Sequence, residues 1–162
     1  MTATETAYHK HDYFIGSAYV KKLSELAGSR TLVFDTGPLI SLTVNNLLST
    51  LERLRERYSG RFVIPESVKE ELVDQPLRTK RFMFEAMQLQ RLISTGVLEV
   101  VEDNDTKELT LELLHLANSS FAAKAKSVKI VQYGEMASIA AAKLLDAEAL
   151  IIDERITREL VE

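Results

Sequence analysis

Four acids carry the chemical interest of this chain. Asp35 closes the apolar run TLVF (31–34), Glu71 lies within ESVKEELVD (66–74), Glu135 stands second in GEMASIAAAKLL (134–145), and Asp153 follows ALII (149–152). Ionised carboxylates drawn together repel one another, and a divalent cation between them removes that penalty. An all-oxygen donor set favours Mg²⁺ or Mn²⁺ over zinc. Such an ion, still partly hydrated, orients and activates water and stabilises charge building on phosphorus oxygens and a leaving oxygen. If the acids converge, hydrolysis of a phosphodiester is the natural reaction class.

Each acid also has a structural reading. A single Asp at a strand end often caps the next helix. Glu135 is an acid in a first helical turn, where the macrodipole favours it. Ser67-Val68-Lys69-Glu70 fits a capping box, which gives Glu70 a structural task. At about 100° per residue, Glu71 falls at the margin of the Val68–Leu72 stripe, where a side chain reaches a cleft. The cluster EDND (102–105) lacks the twelve-residue calcium pattern, and Asp105-Thr106-Lys107-Glu108 reads as a cap and its partner. Asp-Thr-Gly at 35–37 also invites comparison with aspartic proteases. That motif occurs once, and the surrounding chain is mostly helical rather than all-β.

The elements that must position these acids follow from the apolar pattern. TLVFD (31–35), RFVIP (61–65), VLEVV (97–101) and EALIID (148–153) read as buried strands. Between them lie helical segments. One begins near Pro38 and continues through Leu54, with Gly60 as a stop. A short one over 66–74 ends before Pro76. Others cover 79–96, 105–118 and 134–147, while 121–131 is ambiguous. Alternating strands and helices predict an α/β fold, a mostly parallel central sheet flanked by helices. Asp35 and Asp153 then stand at carboxyl ends of strands, where open α/β sheets bind ligands. Residues 1–16 read as loose and 17–28 as a short amphipathic helix ended by Gly28, an extension (1–29) appended to a domain over 30–162.

Composition bounds the rest. At 162 residues the chain holds one domain with a real core, and 46% hydrophobic with 27% charged residues is ordinary for a globular protein. There is no cysteine, which excludes disulfides and thiolate zinc sites and suits a reducing, cytoplasmic interior. His9, His11 and His115 have no zinc-like helical spacing. No run approaches the roughly 18 apolar residues of a membrane span, and the N-terminus lacks a signal-peptide pattern. The net charge of −4 does not announce a nucleic-acid binder.

Taken in order, four segments resemble the PIN domain family of small α/β metal-dependent ribonucleases: VFDTGPLISL with Asp35, VIPESVKEEL with Glu71, YGEMASIAAAKLL with Glu135 and ALIIDERITREL with Asp153. The resemblance spans about 30–162. It implies a parallel sheet between helices, one or two Mg²⁺ or Mn²⁺ ions on the four acids, and cleavage of single-stranded RNA. It also implies, as partners, an antitoxin of a toxin–antitoxin pair or an RNA-processing assembly, and a homodimer. The chain departs from the pattern at Ile151, where many members carry Ser or Thr. Thr36 is the polar residue expected to serve instead, with Arg155 as an RNA contact. Nine residues follow Asp153, so the family's last strand and helix are expected to be missing or to lie in a longer protein. The rival reading is a PIN-like RNA-binding or protein-interaction module with little catalysis.

Overall fold

The apolar runs assemble into one sheet. In the computed structural model, which describes residues 30–123 and 132–153, β1 is Arg30–Phe34, β2 Gly60–Pro65, β3 Glu99–Val101 and β4 Ala149–Ile151. Their spatial order is β3-β2-β1-β4, and every neighbouring pair is parallel. The register sets Leu32 beside Phe62 on one side and Ala149 on the other. Side chains alternate across a strand, so Phe34, Phe62 and Ile64 serve one apolar core while Val33 and Val63 serve another. Burial on both faces is why β1 and β2 read as unbroken apolar runs.

Helices α1 (Thr36–Val44) and α2 (Leu48–Arg57) join β1 to β2. After β2 come α3 (Glu66–Lys69), a π-helical turn over Glu70–Asp74, α4 (Gln75–Thr79) and α5 (Met83–Ser94). Helices α6 (Asp103–Ala123) and α7 (Tyr133–Leu144) lie between β3 and β4. Leu39, Leu48, Leu51, Leu89 and Leu92 cover the first face, from α1, α2 and α5. Ala141 of α7 and Leu145 at its C-cap cover the second, with α6 stacked on α7 through Ala117 and Met136. The chain therefore travels outward from β1 to β3 with helices on one face, then returns to β4 with helices on the other. A single crossover hand requires that switch of face. The direction reverses between β1 and β4, the place where open α/β sheets form their ligand crevice.

Several expectations need correction. The helix expected from Pro38 through Leu54 is two helices, because the chain breaks at Asn45–Leu47 with Asn46 left-handed (φ 57°). The segment over 66–74 does not stop before Pro76. The π-helical turn shifts the backbone so that Pro76 falls in the first turn of α4, where its missing N–H costs nothing. The helix expected from 79 begins only at Met83, after left-handed Lys80 (φ 60°) and Phe82 (φ 59°). Helix α6 opens at Asp103, so Asp105 lies inside it and is not its cap. Glu70 makes no cap either and pairs with Arg78 instead. The expected helix at 17–28 and the segment from 124 to 131 lie outside the described residues.

At the amino-terminal end of the strands, Gly60 opens β2 where a Cβ would come within 2.2 Å of the Arg30 carbonyl oxygen. Among the described residues no helix is long and apolar enough to cross a membrane.

Candidate active site

Asp35 stands at the hinge between β1 and α1. It occupies the N-cap position of α1, yet its side chain makes no capping hydrogen bond. Its backbone N–H donates instead to the Ile151 carbonyl at 3.0 Å, which ties the end of β1 to the end of β4. Asp35 is 4% exposed, and its carboxylate accepts a hydrogen bond from the Ser138 hydroxyl at 3.0 Å. A buried carboxylate that does not cap its helix is costly unless something else uses it.

Glu71 reaches the same edge from a different direction. The turn over Glu70–Asp74 closes with the Gln75 N–H donating to the Glu70 carbonyl, an i→i+5 bond. Such turns are rare and recur at functional sites. Lys69 Nζ to Asp74 Oδ2 (2.6 Å) braces it from outside, and Leu72 and Val73 anchor it in the core. Glu71 is left exposed, its Oε2 accepting a hydrogen bond from Thr36 Oγ1 at 3.1 Å.

Glu135 lies in the first turn of α7, half-buried. Small residues let α7 press onto the sheet, with Ala137, Ala140 and Ala141 fully buried. Asp153 follows β4 and is exposed. A Cβ on Gly37 would stand 3.1 Å from the Asp153 Cβ, so the glycine admits the close approach of α1 to this acid. Ser41 Oγ makes a long contact of 3.5 Å with Asp153 Oδ2.

The four acids line one cavity of about 190 Å³, together with Thr36, Gly37 and Gln132. Among the described residues no Lys or Arg lines it. A second acid pair braces the neighbouring strand ends. The Ser67 N–H donates to Asp103 Oδ1 and the Asp103 N–H donates to Glu66 Oε2, both at 3.2 Å. Burial pushes the Asp103 carboxyl above its ordinary value, against the Ser67 N–H, which lowers it. A larger, open hollow of about 870 Å³ lies at the other end of the sheet, around Glu52, Arg55, Tyr58 and Gly96. It is away from the carboxyl ends of the strands and gathers none of these acids.

The donor set of the acid cavity is all oxygen, which suits a hard divalent cation. Among the described residues no three His, Asp or Glu side chains are grouped tightly enough to hold one ion as they stand. Asp35 is fixed by its burial. Closing the set on one point therefore takes rotation of the more exposed carboxylates of Glu71 and Asp153.

A family model described as DUF3368: PIN domain matches residues 31–162. The chain belongs to the PIN domain family. No curated protein and no solved structure gives a significant match. The α/β fold with an all-parallel sheet agrees with the sequence expectation for this PIN domain.

Of the polar residues expected at the site, Thr36 binds Glu71, while Arg155 lies outside the described residues. Ile151, at the position where many PIN domains carry a hydroxyl, contributes its carbonyl to Asp35. Sequence reasoning missed Ser138. Its signal was a lone hydroxyl one turn after Glu135 on the small-residue face of α7.

Proposed function

We propose that this PIN domain is a Mg²⁺- or Mn²⁺-dependent endoribonuclease that hydrolyses phosphodiester bonds of single-stranded RNA. One observation carries the reading. Carboxylates from four separate chain segments line a single cavity at the reversal point of the sheet, and the buried one, Asp35, does not cap its helix.

Asp35, Glu71, Glu135 and Asp153 are the residues that would hold the ion. When bound, it supplies an activated water and stabilises negative charge on the phosphate. The chain's own part is orientation. Ser138 holds Asp35 in one rotamer, and Thr36 holds Glu71 against the start of α1. Gly37 leaves room for Asp153. The absence of cationic lining among the described residues reserves the cavity for a metal-bridged phosphate rather than a bare anion.

Under this reading the chain works in the cytoplasm on RNA. It acts either as a toxin restrained by an antitoxin or within an RNA-processing assembly, and it forms a homodimer. A second reading, a PIN-like RNA-binding or protein-interaction module with little catalysis, draws on the loose spacing of the acids and on Ile151.

End-labelled single-stranded RNA incubated with Mn²⁺ separates the two. The ribonuclease reading expects cleavage by the wild type, none with EDTA, and none by Asp35→Asn. Equal cleavage by wild type and variant, or intact RNA in both, removes it.

A further inference from the structure

A second cavity shares a wall with the acid cleft. It encloses about 320 Å³, and its walls include Ile40 and Val44 of α1, Phe82, Leu89 of α5, and the carboxylate-bearing residues Glu71 and Glu85. That volume lies at the lower end of the roughly 300–1,000 Å³ of small-molecule clefts. Glu71 lines both cavities, so whatever enters the groove lies beside the acids.

The approach to the groove is built unusually. Lys80 and Phe82 are both left-handed, a genuine outlier for a bulky residue. Such strain costs of order 1–3 kcal/mol and persists where surrounding structure imposes it. Here Phe82 is 61% exposed, with the Arg81 guanidinium 5.1 Å from its ring centroid. Lys80 and Arg81 thus bring positive charge to the lip of an apolar slot that adjoins a carboxylate cleft.

We propose that this groove is a nucleobase subsite, holding the base next to the phosphodiester that lies over the acids; the inference rests on the ribonuclease reading above. Three features fit a base together. Its flat faces match Ile40, Val44 and the Phe82 ring, since bases stack on aromatic side chains in single-stranded RNA recognition. Its attached phosphates meet Lys80 and Arg81. Its N–H donors meet Glu85, an acceptor-only carboxylate with no hydrogen bond or ion pair to another described residue. A purely aliphatic side chain from a protein would leave Glu85 without a donor, whereas a base supplies one. Guanine presents two adjacent N–H donors to a carboxylate and uracil one, so guanine is the favoured base.

The test uses the full chain and two fluorescein-labelled twelve-nucleotide RNAs, all-uridine and all-uridine with one central guanosine. Binding is read by anisotropy in Ca²⁺, with RNA integrity checked on a gel. The guanosine RNA is expected to bind more tightly. Phe82→Ala weakens both by roughly ten-fold, the scale of one lost base stack, and Phe82→Tyr restores them. Glu85→Gln erases the preference between the two RNAs. Thermal melts confirm that the variants fold. Unchanged binding by Phe82→Ala and Glu85→Gln overturns the subsite, as does failure of the wild type to bind either RNA. A change in sedimentation of Phe82→Ala with unchanged RNA binding also overturns it and makes the groove a protein interface. A wild type that binds with these preferences but leaves RNA intact in Mn²⁺ sinks the ribonuclease reading and keeps the subsite.

Discussion

The Ser138 hydroxyl lies 3.0 Å from Asp35 Oδ1 and 3.0 Å from the Gly134 carbonyl. It has one proton to give, and the carboxylate is the stronger acceptor. The contact joins the end of β1 to the middle of α7, so Asp35 is held by a helix on the second face of the sheet. Ser138→Ala removes the donor and leaves a buried acceptor short of a partner. A loss of about 1–3 kcal/mol in stability is expected, measured by urea unfolding. RNA cleavage should fall as well, with most of the effect in kcat. Wild-type stability together with wild-type cleavage would show that the bond holds nothing.

A ligand that binds only the folded chain raises its melting temperature by mass action. Mn²⁺ is expected to raise that of the wild type measurably. Asp35→Asn should abolish the rise while folding normally, because Asn keeps the shape and still accepts from Ser138. Calorimetric scans with EDTA and with Mn²⁺ check both. Without metal the variant should be at least as stable as the wild type, since a buried charge has gone.

Gly37→Ala places a methyl group 3.1 Å from the Asp153 Cβ. Either α1 or the end of β4 must then give by a few tenths of an ångström. Cleavage is expected to drop about ten-fold or more, as small misplacements of catalytic groups do, while the melting temperature changes little. At Gly134 the nearest atom to an added Cβ would be Glu71 Oε2 at 3.8 Å, an ordinary contact. Gly134→Ala is therefore the control and should leave Mn²⁺ binding nearly intact.

Acid sensitivity of folding has one source at the far edge of the sheet. Glu148 accepts hydrogen bonds from Arg30 Nε (2.7 Å) and Tyr58 Oη (2.8 Å). Those two hydrogen bonds, Arg30 first, hold its carboxyl below the usual value. A depressed carboxylate stabilises the fold above the ordinary carboxylate range, and that contribution disappears as pH falls through the depressed value. Glu148→Gln should therefore lose stability at neutral pH and converge with the wild type in strong acid. Melts across pH read this out. Mn²⁺-dependent cleavage, at the opposite edge, should be unaffected.

How much of this was legible in the sequence divides along a physical line. The β1 and β2 runs were readable because strands buried on both faces must be apolar throughout, and Asp35 and Asp153 follow once a parallel sheet is granted. Glu71 was separable from Glu70 because the two lie at different angles to the Val68–Leu72 stripe, although the turn that carries them is π-helical rather than regular. Local signals misled where the backbone left regular geometry. Pro76 looked like a stop, yet it starts a helix after a wide turn. Asn46 breaks the segment after Pro38 by turning left-handed. Ser138 was hidden because its role depends on how α7 settles against β1, a tertiary fact that a hydroxyl among alanines does not announce.

The wide turn at Glu70–Asp74 makes the address of Glu71 a matter of chain count. Deleting one residue there would wind the segment toward regular α-helix and rotate whatever follows by about 100°. Either Leu72 and Val73 would leave the core or Glu71 would leave the cleft. Point substitutions can tune this lip of the molecule, but a single-residue deletion forces a choice between staying folded and keeping the acid in place.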